Sequence, residues 1–143
     1  MSRLQFLVMG ALVALAACDA AGGRERVARS MTADRVANPE TARFREVVVR
    51  GDVVCGEIDN KDDSGADVGF RRFIFNDVEQ SLIDRQPRIT DAELRKETNA
   101  ASIASGRPYG SATALYHRQR AQDMRREMAS DAAFDTLWAL KCQ

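Results

Sequence analysis

Three features of the sequence predict an α+β protein built on a short antiparallel three-stranded meander packed by helices. Val47-Val48-Val49 and Val53-Val54-Cys55 are β-branched runs separated by Arg50-Gly51-Asp52, the pattern of a hairpin with glycine in its turn. Phe70 to Phe75 adds a third strand, with Phe70, Arg72 and Ile74 on one face and Arg71, Phe73 and Phe75 on the other. The second half is helical in pattern and opens on the capping-box sequence Thr90-Asp91-Ala92-Glu93. A three-stranded sheet needs a helix across one face to be stable in water.

The remaining elements follow in chain order. Val27, Met31 and Val36 recur at near-helical spacing between Arg24 and Ala37 and predict an amphipathic helix. Asn38-Pro39-Glu40 restarts the chain, with Asn as N-cap and Pro at the first position of a short helical turn that carries Ala42 and Phe44. A polar loop from Asp59 to Gly69 joins strands two and three, while Asn76 to Arg88 shows no clear period and is interrupted by Pro87. The capped helix runs to about Ser105, where Gly106 and Pro108 stop it. Gly110-Ser111 opens a further helix carrying Leu115, Ala121, Met124 and Met128. Ser130-Asp131 caps a final segment in which Phe134, Leu137 and Trp138 share a face and deliver Cys142 toward the sheet.

Composition excludes more than it selects. The chain has 143 residues, with 21 basic and 21 acidic side chains and no net charge, so no global field favours nucleic acid or an anionic surface. Nearly all the basic residues are arginine, a bias that a GC-rich genome produces without anion recognition.

Location is more legible than activity. Arg3 precedes an apolar run from Leu4 to Ala14, too short to span ~30 Å of hydrocarbon as a permanent helix. It leads through small residues into Leu15-Ala16-Ala17-Cys18, as in a secretory leader. That stretch resembles the lipobox of bacterial lipoprotein precursors. The resemblance implies a signal peptide over 1–17, acylation of Cys18, and a lipid-anchored spacer over 18–23 before a single small α+β domain over 24–143. Asp19 resembles the inner-membrane retention signal of enteric lipoproteins, and the leaflet stays open. With Cys18 assigned to lipid, Cys55 and Cys142 are the two cysteines left to meet an oxidising compartment. An even pair there normally forms a disulfide.

From Val53-Val54-Cys55-Gly56-Glu57-Ile58 through Lys61, Gly65 and Gly69-Phe70-Arg71-Arg72-Phe73, the chain resembles a group of small, uncharacterised exported proteobacterial proteins. Their signature runs roughly V-V-C-G-x-V-N-x-K-N-x-x-G-G-Y-x-G-F-x-R-F. Asn38 to Phe44 looks like the same group's D-P-x-S-A-x-F, and the group often ends in tryptophan and a last cysteine, here Trp138 and Cys142. The departures fall in the loop, where this chain carries Asp59, Asp62 and Asp67. The resemblance implies no activity.

Candidate chemistry is sparse. The Asp59 to Asp67 loop has the oxygen-rich character of a calcium site, but placing Asn60, Asp62, Ser64 and Gly65 in an EF-hand register puts Arg71 where the bidentate glutamate belongs. A solvated hairpin loop is the expectation. His117 is the one histidine and has no nucleophile motif beside it. Glu46 and Glu57 are imaginable as an acid and base pair, yet nothing in their spacing brings them into a cleft. Arg118, Arg120, Arg125 and Arg126 alternate with Asp123 and Glu127 and read as a solvated helix face. Arg50-Gly51-Asp52 spells an adhesion tripeptide that any charged turn around glycine produces.

The expectation is therefore a non-catalytic binding or structural protein held in the bacterial envelope by lipid on Cys18. It faces the periplasm, is stapled between Cys55 and Cys142, and has no cofactor, no metal site and no nucleic-acid partner. Two alternatives stay open at this level: a soluble periplasmic protein released after Ala14-Leu15-Ala16, and an envelope enzyme whose site forms only on folding.

Overall fold

The computed structural model describes residues 21–78, 80–106 and 111–143. The signal peptide expected over 1–17 and the expected acylation site Cys18 lie outside the described residues. The chain forms two compact units. One, the sheet unit, runs to Asp84 and includes Leu140–Gln143; the other, the helical unit, is Arg85–Ala139.

The sheet unit opens on α1, helical over residues 21–33. Residues 21–23, expected within a flexible spacer, are already in the helix. Arg24, directly after Gly22 and Gly23, anchors the start of the helix, donating to the Gly51 carbonyl at 2.9 Å and pairing with Asp77. A single 3-10 turn, Pro39–Thr41, leads into the sheet. Asn38 does not cap it with its side chain, which is committed elsewhere.

The sheet has four strands where three were expected: β1 (Arg43–Arg50), β2 (Val53–Asp59), β3 (Arg71–Asn76) and β4 (Gln80–Ile83), in the antiparallel order β1-β2-β3-β4. The fourth strand escapes the sequence pattern because Ser81, a polar residue, holds a core position. It is buried, and its hydroxyl lies 2.7 Å from that of buried Thr32 on α1. A satisfied hydroxyl at that site removes the apolar alternation by which a short strand is recognised.

A bulge aims β1. Arg45 pairs with Glu57 and Val48 with Cys55, so Glu46 and Val47 together face the single residue Gly56, and Glu46 takes a positive φ of 52°. Side chains alternate with period two, so the extra residue lets Phe44, Val47 and Val49 all point to the same side. That side is the core, where they pack with Ala28 and Met31 of α1, Val54 and Ile58 of β2, and Phe73 and Phe75 of β3. Phe44 meets Phe73 edge to face at 5.7 Å.

The opposite face carries buried Val53, Cys55 and Ile74. There Cys55 bonds to Cys142 as expected, with sulfurs 1.99 Å and Cα atoms 5.7 Å apart across 87 residues of sequence.

In the helical unit, α2 (Asp91–Ser105) begins as read from the sequence, with both halves of the Thr90–Glu93 capping box formed and Gly106 at its end. The next element differs: α3 (Ser111–Lys141) is one helix of 31 residues, uninterrupted at Ser130-Asp131. No Gly or Pro lies between Ser111 and Lys141, and interior Ser and Asp each cost a helix well under ~1 kcal/mol. Phe134 and Trp138 stack at 6.2 Å within α3.

Candidate functional site

A dense polar arrangement closes the loop between β2 and β3. Asp59 ends β2 with only 3% of its surface exposed. Its carboxylate accepts from Arg43 at 2.5 Å and from the Gly69 N–H at 2.9 Å. Burial would push the Asp59 carboxyl up, but Arg43 and the N–H groups of Gly69 and Asn60 outweigh it and hold it below the ordinary carboxylate range. Arg43 also reaches Asp67 at 2.9 Å, and the two carboxylates raise its own pKa.

Asn60, also buried, donates to the Lys61 carbonyl at 2.7 Å and accepts from Arg71 at 2.5 Å. Burial lowers the Arg71 guanidinium, while the charges of Asp59 and Asp84 act the other way. Its Nε is buried with no hydrogen-bond partner among the described residues. On the neighbouring position, Arg72 grips buried Asp84 through Nε at 3.0 Å and a terminal nitrogen at 2.7 Å.

The loop itself is ordered by Asp62. Its Oδ1 accepts from the Ser64 N–H, the Ser64 hydroxyl and the Ala66 N–H at 2.8, 2.6 and 3.0 Å. The Ser64 hydroxyl and the Ala66 amide are the main reasons the Asp62 carboxyl lies below its ordinary value. Asn38 staples the loop from outside, donating to the carbonyls of Lys61 and Asp62 at 3.0 and 2.9 Å. Thr41 accepts from the Lys61 N–H at 2.9 Å. Gly65 and Gly69 both take positive φ, 83° and 93°, which a side chain at either place would strain.

The carboxylates of Asp59, Asp62 and Asp67 thus point at protein donors. Among the described residues no group of three or more His, Cys, Asp or Glu side chains is arranged to hold a metal ion. The network was only half visible in the sequence: the Asp-rich run marked the loop, but Asn38, Arg43 and Arg71 reach it from other segments.

The other candidate residues go to separate places. Glu57 pairs with Arg45, which lies 3.9 Å from the Phe70 ring centre, while Glu46 is exposed at the bulge. His117, in the helical unit, places Nδ1 2.6 Å from Glu97, which also meets Arg120 at 3.7 Å. Arg118 donates to the Ser105 hydroxyl at 2.7 Å and Arg126 reaches Asp123 at 3.5 Å. Glu57, His117, Arg118 and Arg126 are each matched to a neighbour within their own unit.

Among the described residues no helix is long and apolar enough to cross a membrane. Comparison with known proteins finds no matching family model, no matching curated protein and no matching solved structure.

Proposed function

We propose that the chain is a lipid-anchored protein of the bacterial cell envelope, attached through Cys18, facing the periplasm, and serving a binding or structural role rather than catalysis. The observation that carries this reading is the pairing of Cys55 with Cys142. Of three cysteines it leaves Cys18, which stands at the end of Leu-Ala-Ala-Cys. A buried disulfide also suits an oxidising compartment beyond the cytoplasm.

The motif that resembles one in small exported proteobacterial proteins supports the non-catalytic part of this reading. Gly56 makes room for Phe73, Gly65 and Gly69 turn the loop, and Arg71 holds Asn60. These residues are used in closing the fold.

Mass spectrometry of the mature N-terminus tests the reading. The expected peptide begins at Cys18 and carries diacylglycerol on its sulfur; an unmodified peptide beginning at Ala17 overturns it. Cys18→Ala is expected to move the protein from the membrane fraction to the soluble one.

A further inference from the structure

The sheet unit has two unlike ends. At one lie the first turn of α1, the Arg50-Gly51-Asp52 turn, the β3–β4 connection and the last residues of the chain. Contacts hold them together: Arg24 joins Gly51 and Asp77, and Lys141 lies 3.4 Å from Asp52. At the other lies the Asp59 to Gly69 loop with Asn38 and Thr41 against it.

The first end exposes apolar side chains. Val78 is 91% exposed and Leu140 76%. Charges of both signs lie at the same end, Arg24 paired with Asp77 and Lys141 with Asp52, with exposed Arg50 in the turn beside Asp52. Long cationic side chains beside exposed aliphatic ones suit a phospholipid headgroup layer, where the stems lie along apolar surface and the charges meet phosphate. The acidic partners suit the amine of a zwitterionic headgroup.

Chain length selects this end. Cys18 lies three residues before Ala21, where α1 is already formed, and three residues span at most about 11 Å. The loop end lies farther by the length of β2, about 20 Å at the rise of a strand. Resting on the lipid-anchored reading above, we infer that the end carrying Val78 and Leu140 docks onto the phospholipid headgroups next to the anchor, leaving the Asp59 to Gly69 loop facing away from the bilayer.

The test supplies the anchor chemically, so it does not depend on acylation in the cell, which the mass measurement decides separately. The chain from Cys18, with Cys55 and Cys142 oxidised, is coupled through its free thiol to a maleimide phospholipid in phosphatidylethanolamine and phosphatidylglycerol vesicles. Single tryptophans are placed by Val78→Trp, Leu140→Trp and Asp63→Trp in a Trp138→Phe background and quenched with headgroup spin-labelled lipid. Quenching several-fold stronger at 78 and 140 than at 63 is the expected result. Equal quenching at all three, as from a unit lying on its side, overturns the inference, and so does quenching at none of them, as from an end reserved for a protein partner. Should a variant misfold by circular dichroism, relaxation of the backbone amides of the unsubstituted chain by gadolinium-bearing headgroups gives the same comparison. Broadening of 51, 78 and 140 but not 63 is expected, and uniform broadening or none overturns it.

Discussion

Gly56 shows how much one missing side chain can decide. A Cβ built there would lie 2.9 Å from Cε1 of Phe73 and 3.0 Å from Cγ2 of Val47. The Phe73 ring is fully buried and cannot swing aside. Gly56→Ala is expected to destabilise the sheet unit by about 1–3 kcal/mol, the usual cost of overpacking, read as a lower urea midpoint. Asp59 makes a second prediction at this level. Its folded-state pKa is depressed, so its contribution to stability is complete above about pH 4, the ordinary value in an unfolded chain. That contribution is lost as the pH falls through the folded value. Asp59→Asn is therefore expected to lower stability at pH 7 and to flatten the acid limb of the stability curve; an unchanged acid limb would count against the ion pair with Arg43.

The strands and helices were legible to different degrees. The hairpin around Gly51, the strand over Arg71–Asn76 and the capped start of α2 all rest on local signals, which act over a few residues and survive in any tertiary setting. Thr90→Ala is expected to cost about 1 kcal/mol, the typical worth of an N-cap, with a matching loss of amide protection in the first turn of α2. The bulge at Glu46 left no signal, since its consequence is a partner across the sheet. The continuity of α3 was equally hidden. Ser130-Asp131 has the composition of a cap, yet the helix runs through it and leaves Asp131 buried with Oδ2 unpartnered among the described residues. Asp131→Ala removes that desolvated oxygen and raises helix propensity, so an increase in thermal stability of roughly 0.5–1 kcal/mol is expected. A decrease would reveal a partner for the carboxylate.

Across the chain as a whole, the Cys55–Cys142 bridge gives the residues that follow the helical unit a place in the sheet unit. Closing 87 residues limits the unfolded chain by an amount worth up to about 4 kcal/mol in the chain-entropy account. Cys142→Ser, or dithiothreitol on the natural chain, is expected to lower the urea midpoint accordingly, and without reductant neither Cys55 nor Cys142 should react with iodoacetamide. Free reaction of both would refute the pairing. The candidate loop was legible as a polar, acidic connection and no further. Its closing partners Asn38, Arg43 and Arg71 carry no mark of that role, because a hydrogen bond between distant residues has no period and no spacing.

Periodicity and capping chemistry were enough to read an α+β chain with a β2 strand at Cys55, since each depends on neighbours a few residues apart, and the even cysteine pair followed from the cysteine count. The fourth strand, the two compact units and the buried carboxylate network came from contacts between segments far apart in the chain. There a polar Ser81 becomes a core residue once Thr32 satisfies it, and Asp59 can stay charged in the interior once Arg43 and the Gly69 N–H surround it.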